Sequence, residues 1–397
     1  MNMVIKNVKI RTMAQRDYEC GFVRISGGVF TEIGDMSEYT ELSDADNEII
    51  DGEGLTMYPG FVDAHCHIGM WEDSLCFEGE DGNEDTDPST PHLRAIDSIN
   101  PLDRCFEDAA AAGVTSVCTG VGSANPIGGS FVIMKTRGSK RVDKLIVQSP
   151  CAIKFALGEN PKNTYNDRDE SPVTRMATAA VIREQLTKAK RYLEDMAEYK
   201  RLKGTDDEIS QPDYDAKCEA LLPLFGEKPK LKAHFHCHRA DDIFTAVRIA
   251  KEFDLDYVLI HCTDGGIIAE ELAEDNPAVV LGPLFGDRGK PELRNHDITT
   301  PALLKKEGIR FAICTDHPET PIQYLPMTAA LAVRGGLDRE TAIKAITINA
   351  AEIIGASDRI GSVEVGKDAD FSLFDGDPLD LAVTAKAVAV GGVMYRY

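Results

Sequence analysis

The sequence contains no run of about 18 consecutive apolar residues, the length that a membrane-spanning helix requires. Its first residues also lack the apolar stretch of a secretory leader. They alternate instead, with Met3, Ile5, Val8 and Ile10 set against polar neighbours, and read as a strand. Positive charge is scarce: 43 Lys and Arg face 66 Asp and Glu, a net charge of −23. Such a field repels phosphate backbones and anionic membrane surfaces, which argues against both as partners. Ten cysteines occur without a Cys-x-x-Cys pair, and Cys118, Cys151, Cys262 and Cys314 lie in apolar, strand-like runs. That is the pattern of reduced thiols in a cytoplasmic protein. Internal repeats and low-complexity tracts are missing, apart from the acidic stretch 78–87, which reads as a solvated loop because like charges repel and hydrate.

What is present fits a large soluble core. Hydrophobic residues make up 43% and charged residues 27% of 397, enough for a barrel with a small companion domain. Residues 1–58 are a succession of short strand patterns (3–10, 22–26, 29–33 and 48–51) broken by turn signals such as Gly27-Gly28. From Pro59 strands alternate with helical patterns, as in a parallel sheet with crossover helices. Candidate barrel strands cover 61–65, 115–119, 152–157, 231–236, 257–261, 279–281 and 310–314, with one more expected between 131 and 148. Helices are expected over 174–202, 241–252, 265–274 and 338–349. Strand patterns return at 363–365, 370–374 and 388–395. The simplest topology is an α/β fold: a (β/α)8 barrel over 59–360, inserted into a small β-domain made from 1–58 and 361–397.

Chemistry concentrates at the predicted strand ends. In Phe61-Val62-Asp63-Ala64-His65-Cys66-His67, residues two apart share one face of a strand, so His65 and His67 project together from its C-terminal end. In a barrel, that end carries the active site. A lone His-x-His is often structural, but this one has partners. His234, His236 and His238 share a face at the end of another apolar run, His261 ends the next, and Asp316 follows the last. Of nine histidines, most stand at the ends of three apolar strands, which metal ligation explains and hydration does not. Lys154 lies inside the apolar segment Ala152-Ile153-Lys154-Phe155-Ala156-Leu157. A charged lysine there must snorkel or pair; alternatively its neutral amine reacts with CO₂ to give a metal-binding carbamate. Glu159 is a rival oxygen ligand.

In chain order, His65, His67, Lys154, His236, His261 and Asp316 resemble the ligand pattern of the amidohydrolase superfamily. Two flanking stretches agree: Pro59-Gly60-Phe61-Val62-Asp63 looks like entry into the barrel, and 349–355 followed by 360–370 looks like the return into the small β-domain. The chain is most similar to the imidazolonepropionase-like branch, which also contains Xaa-Pro dipeptidases. The resemblance implies a (β/α)8 TIM barrel with a small β-sandwich domain and a site for one or two divalent metal ions, zinc being the expected metal. A carbamylated Lys154 would go with two ions. His236 is preferred to His234 as the ligand, because His236-Cys237-His238 matches the family's fifth-strand His-Ala-His; His238 is then expected to face the substrate. The ions would activate water and polarise a carbonyl, with Asp316 as general acid and base.

Substrate choice falls to loops. Arg288, Lys290, Arg294 and His296 follow the seventh predicted strand; Arg288, Arg294 and His296 are expected to bind the substrate, the cations clamping a carboxylate. A solvated loop is the competing account, and His92 and Arg94 are further candidates. The leading expectation is hydrolysis of a C–N bond in an amide or cyclic amide. A heterocycle deaminase, an Xaa-Pro-type dipeptidase and a catalytically silent metal-binding scaffold are the alternatives. The expected partner is a small-molecule substrate, and the chain is expected to form a homo-oligomer.

Overall fold

The computed structural model describes residues 2–41, 47–73, 75–204, 209–227 and 229–397. The N-terminal strands are β1 (Asn2–Ile10), β2 (Tyr18–Ser26), β3 (Val29–Asp35), β4 (Asn47–Asp51) and β5 (Thr56–Pro59). The barrel strands follow: β6 (Phe61–Cys66), β7 (Val114–Thr119), β8 (Ile127–Lys135), β9 (Ile146–Ala156), β10 (Lys232–Cys237), β11 (Asp256–His261), β12 (Ala278–Leu281) and β13 (Phe311–Ile313). The chain returns with β14 (Phe371–Phe374), β15 (Ala385–Val390) and β16 (Val393–Arg396).

Both chain ends build one mixed sheet, ordered β16-β15-β14-β5-β1-β2-β3 with β4 also paired to β1. Its buried side chains come from both ends, with Ile5, Ile10 and Phe30 packed beside Phe371 and Leu373. The run 363–365 is not a strand. Val363 N–H donates to Thr12 O and Gly366 N–H to Phe30 O, so the segment ties the loop after β1 to the start of β3 instead of joining a ladder. The run 388–395 belongs to two strands, β15 and β16, joined by a two-residue turn at Gly391-Gly392.

The second sheet runs β6 through β13 in chain order, the order of a barrel. His67 N–H donates to His317 O (2.9 Å) and Asp316 N–H to His65 O (3.2 Å), which brings the last strand's exit against the first. The third strand departs from the expected pattern. It begins at Ile127, four residues before the expected window, and runs antiparallel to both β7 and β9. The remaining neighbouring pairs are parallel. The cause is connection length: only residues 120–126 and 136–145 join β8 to its neighbours, too few for crossover helices. Residues 146–151, expected to lie outside the fourth strand, extend it.

The long helix forms over Arg175–Leu202, with the Thr174 hydroxyl accepting from Ala177 N–H at its start. The expected helix 265–274 is shorter, a 3-10 turn at Thr263–Gly266 followed by Ala269–Ala273. That expected over 338–349 splits into Arg339–Ala345 and Ile348–Ile354. Among the described residues no helix is long and apolar enough to cross a membrane.

Candidate metal centre

Five of the eight barrel strands deliver one or two of the polar side chains in question. His65 is the penultimate residue of β6 and His67 follows its end; Lys154 lies within β9; His236 lies within β10, with His238 just beyond; His261 ends β11; Asp316 follows β13. The backbone bends sharply at two of these points, since His261 (φ 72°) and Asp316 (φ 54°) both occupy the left-handed region. Such conformations cost about 1–3 kcal/mol each and persist only where the surrounding structure enforces them.

The side chains converge. Asp316 Oδ1 lies 3.2 Å from His67 Nε2 and 3.6 Å from His65 Nε2, and its Oδ2 lies 4.0 Å from His261 Nε2. Lys154 Nζ is 3.0 Å from His65 Nε2. Two sets of ligand atoms lie within 4.8 Å of one another, His65–His261–Asp316 and His236–His238–His261, with His261 common to both. His234 stands outside these sets. It is buried beside Phe131, neither ring nitrogen has a partner among the described residues, and burial lowers its pKa to about 3.

These residues fit a divalent cation. His67 Nδ1 lies 2.7 Å from Gly120 O and His261 Nδ1 2.7 Å from Gly282 O. A carbonyl only accepts, so in each ring Nδ1 carries the hydrogen and Nε2 turns its lone pair toward Asp316. Both carbonyls belong to glycines that tolerate no side chain. A Cβ at Gly120 would meet Phe131 Cδ2 at 2.3 Å, and one at Gly282 (φ 129°) would meet Cys314 O at 2.5 Å. Burial also holds His65, His236 and His261 well below the ordinary imidazole pKa, in the neutral form that ligates. Burial raises the Asp316 carboxyl, but His261, His67 and Lys154 outweigh this and leave it below the usual aspartate value. Fully buried Lys154 is lowered by burial to about 8, which leaves part of it as the free amine near neutral pH. Beneath the centre, buried Asp63 accepts from Thr315 Oγ1 (2.5 Å) and Thr315 N–H (3.2 Å), tying β6 to the exit of β13.

Above the histidines lies a cavity of about 940 Å³, lined among others by His67, Trp71, His236, His238 and Asp316. Arg288 and Arg294 are exposed and line a neighbouring depression, with Arg288 Nη2 donating to His296 O at 2.6 Å. His296 lines both hollows, and His238 lines the cavity. The cations on the cavity wall are Lys290 and Arg168, the latter paired with Asp85 at 2.6 Å. His92 is exposed, and Arg94 is spent on Asp97 through two 2.8 Å contacts. The acidic stretch is not simply solvated either, because Asp85 lines the cavity and Gly82 packs on the Trp71 ring.

Glu159 is not beside the histidines. It opens the helix Glu159–Asn166, and its Oε2 accepts from the backbone N–H of Glu292 at 3.3 Å. The acid beside them is Glu292: it is 1% exposed, with Oε1 3.7 Å from His238 Nε2 and 3.8 Å from His236 Nε2. No periodic signal marks it, since it sits in a loop among the basic residues that drew the sequence reading. Trp71 and Asn160 were likewise not foreseen.

Comparison with known proteins places this geometry. A family model described as the amidohydrolase family matches residues 230–394. A solved amidohydrolase from Thermotoga maritima MSB8 superposes with a TM-score of 0.92 at 40% identity, covering 100% of both chains. The amidohydrolase of Hapsidospora irregularis is 26% identical over 393 residues, 94% of this chain, which spans 39% of that relative's length. The imidazolonepropionase of Phocaeicola vulgatus is 25% identical over 392 residues, 90% of this chain and 86% of its own. The full-length likeness to the solved Thermotoga protein, together with the family match over the barrel's C-terminal half, shows that the chain belongs to the amidohydrolase family of hydrolytic enzymes.

Proposed function

We propose that the protein is a metal-dependent hydrolase of a C–N bond in a small amide or cyclic amide, with the barrel over 59–360 and a β-sandwich domain formed by 1–58 and 361–397. The observation that carries this reading is the convergence of His65, His67, Lys154, His236, His261 and Asp316 beneath one cavity. Those residues would hold one or two divalent ions, zinc by the nitrogen-rich donor set. When bound, the ion supplies Lewis-acid polarisation of the carbonyl and an acidified water.

The chain's own residues do the rest. Gly120 and Gly282 fix the tautomers of His67 and His261, so ligand lone pairs are set before substrate arrives. Asp316, held ionised, accepts the proton of the attacking water and returns it to the leaving nitrogen. Trp71, its ring centroid 5.1 Å from that of His67, walls one side of the centre. A substrate carboxylate would meet Lys290 on the cavity wall in place of Arg288 and Arg294.

A second reading, deamination of an uncharged or cationic heterocycle, is favoured by the acidity of the wall. Asp85, Asp167, Asp287 and Glu319 line it, and among the described residues only Arg168 and Lys290 oppose them. The test is a chelator-stripped preparation reloaded with zinc and assayed on N-acyl amino acids, Xaa-Pro dipeptides, cyclic amides and amino-heterocycles. Activity that is lost on stripping and returns with zinc supports the metal-dependent reading. Ammonia release confined to the heterocycles would move the assignment to a deaminase. Full activity after stripping would overturn both.

A further inference from the structure

Trp71 is the chain's single tryptophan, and it stands in the loop after β6, on the wall of the cavity. The backbone on either side of it is tied down. Asp81 N–H donates to Met70 O (2.9 Å) and Glu72 N–H to Gly79 O (2.9 Å). The ring itself is held by an edge. A Cβ at Gly82 or at Gly122 would run into the same corner of the benzo ring, Cη2, so only glycine lets the chain approach there. Those two glycines are joined in turn, Gly122 N–H donating to Gly82 O at 2.8 Å. Among the described residues the only ring beside the indole is that of His67, inclined to it by 73°. The indole is half-buried, and it borders the cavity with what remains accessible.

A large aromatic ring fixed in a cavity wall and left partly open is a binding feature more than a packing one. The surrounding wall shows what it would bind. Among the described lining residues Leu293 is the single branched aliphatic side chain, whereas the large apolar surfaces are aromatic: Trp71, and Phe285 at 51% exposure. Such a wall selects by shape. A planar ring can lie offset on an indole at van der Waals distance, with the two quadrupoles aligned. A saturated ring of the same size is puckered and has no quadrupole, so it loses both the close approach and the alignment.

We propose that Trp71 is a specificity-determining residue, the platform on which a flat aromatic group of the substrate stacks beside His67. The inference rests on the functional reading above only in taking this cavity as the substrate's. The ring of an aromatic amide and that of an amino-heterocycle would both lie there, and saturated analogues of equal size are the poorer ligands.

The experiment uses zinc-loaded full-length protein and two matched pairs of probes, benzamide with cyclohexanecarboxamide and N-benzoylglycine with N-cyclohexanecarbonylglycine. Binding is read by calorimetry, and by protection of the single indole's fluorescence from acrylamide. Wild type should bind the aromatic member of each pair about threefold to tenfold more tightly than the saturated one, the advantage of an aromatic pair beyond the area it buries. The aromatic members should also shield the indole. Trp71→Phe keeps a flat face and should keep the preference, whereas Trp71→Leu should lose it; both are first checked for a native circular-dichroism spectrum. A preference that survives in folded Trp71→Leu would overturn the platform, as would its loss in Trp71→Phe to the same extent. Wild-type binding that does not favour the aromatic members, or no binding of any of the four, would overturn it too. Hydrolysis of both N-acylglycines with equal kcat/KM would remove the platform and leave the hydrolase reading standing. Aromatic-selective binding by a zinc-loaded protein that neither hydrolyses amides nor deaminates heterocycles would keep the platform and remove the proposed reaction.

Discussion

The two flanks of the centre are built differently. On the Asp316 flank the polar groups come from strands or from the residues just beyond them, and the rings of His67 and His261 are aligned by backbone carbonyls. On the Glu292 flank the carboxylate comes from a loop and is held by the start of the helix Glu159–Asn166. On the Asp316 flank the ring lone pairs of His67 and His261 converge on the carboxylate, an arrangement that a cation between them would complete. The Glu292 flank leaves a carboxylate oxygen without a donor and closes against an ammonium. The strand-built flank holds Asp316, whereas the loop-built flank sets the Glu292 carboxylate against Lys290, which lines the cavity.

Removing ligands on the rigid flank should break the protein's function most completely. His65→Ala with His67→Ala should abolish metal uptake and lower kcat/KM by at least about a thousandfold, on the order of what metal-assisted activation of water supplies. The barrel should remain folded, because these side chains serve the mouth and not the packed interior. Elemental analysis and circular dichroism check both points; unchanged stoichiometry in a folded double variant would refute the ligand assignment. Lys154→Ala comes next. If the carbamate forms, the variant should hold about tenfold to a hundredfold less metal at a fixed free concentration, and short carboxylic acids with bicarbonate should restore part of the activity. An unmodified amine at Lys154 in the electron density of crystals of the loaded, active enzyme would retire the carbamate.

The same contrast governs what the sequence disclosed. His65, His67, His236, His261 and Asp316 stood out because a strand repeats every two residues, and a histidine at an apolar strand's end breaks hydrophobic expectation visibly. The barrel and the return of the C-terminal strands to the N-terminal sheet were legible for the same reason. The antiparallel third strand was in reach: residues 120–126 are too few for a helical crossover, yet the alternation of strands and helices elsewhere suggested one. Glu292 was not in reach, since a loop has no period and nothing local separates it from Lys290 and Arg294. The clamp was expected from Arg288, Lys290 and Arg294 together, because their charge was visible in the sequence and the direction of each side chain was not.

Separating the loop's cations therefore sharpens the comparison. Lys290→Met should reduce kcat/KM about tenfold for carboxylate-bearing substrates, which corresponds to about 1.4 kcal/mol and lies near the range for a hydrogen bond to a charged group. Arg288→Ala and Arg294→Ala face the neighbouring depression and should stay within about threefold of wild type. Steady-state kinetics on paired charged and neutral substrates decides the matter. A large loss in either arginine variant, confined to charged substrates, would return the clamp to the arginines.

The smallest effect belongs to a residue on neither flank, and it serves as the control. Asp338 caps the helix Arg339–Ala345 by accepting from Thr341 N–H, and it pairs with Lys305. Burial works against its ionised form, but the Lys305 and Thr341 contacts outweigh this and lower its pKa to about 2. A folded-state pKa below the unfolded value of about 3.9 gives stability that is fully present above that value and is lost as pH falls toward about 2. Both partners are half exposed, so solvent screening keeps the contribution below about 1 kcal/mol. Asp338→Asn keeps a capping oxygen and removes only the charge. Its Tm should fall by about 1–2 °C at pH 7, and the difference from wild type should vanish near pH 2 wherever both proteins still fold reversibly. The zinc content of the loaded protein should be unchanged. A lowered content would mean that metal affinity follows global stability, and the ligand variants would then have to be compared again at matched Tm.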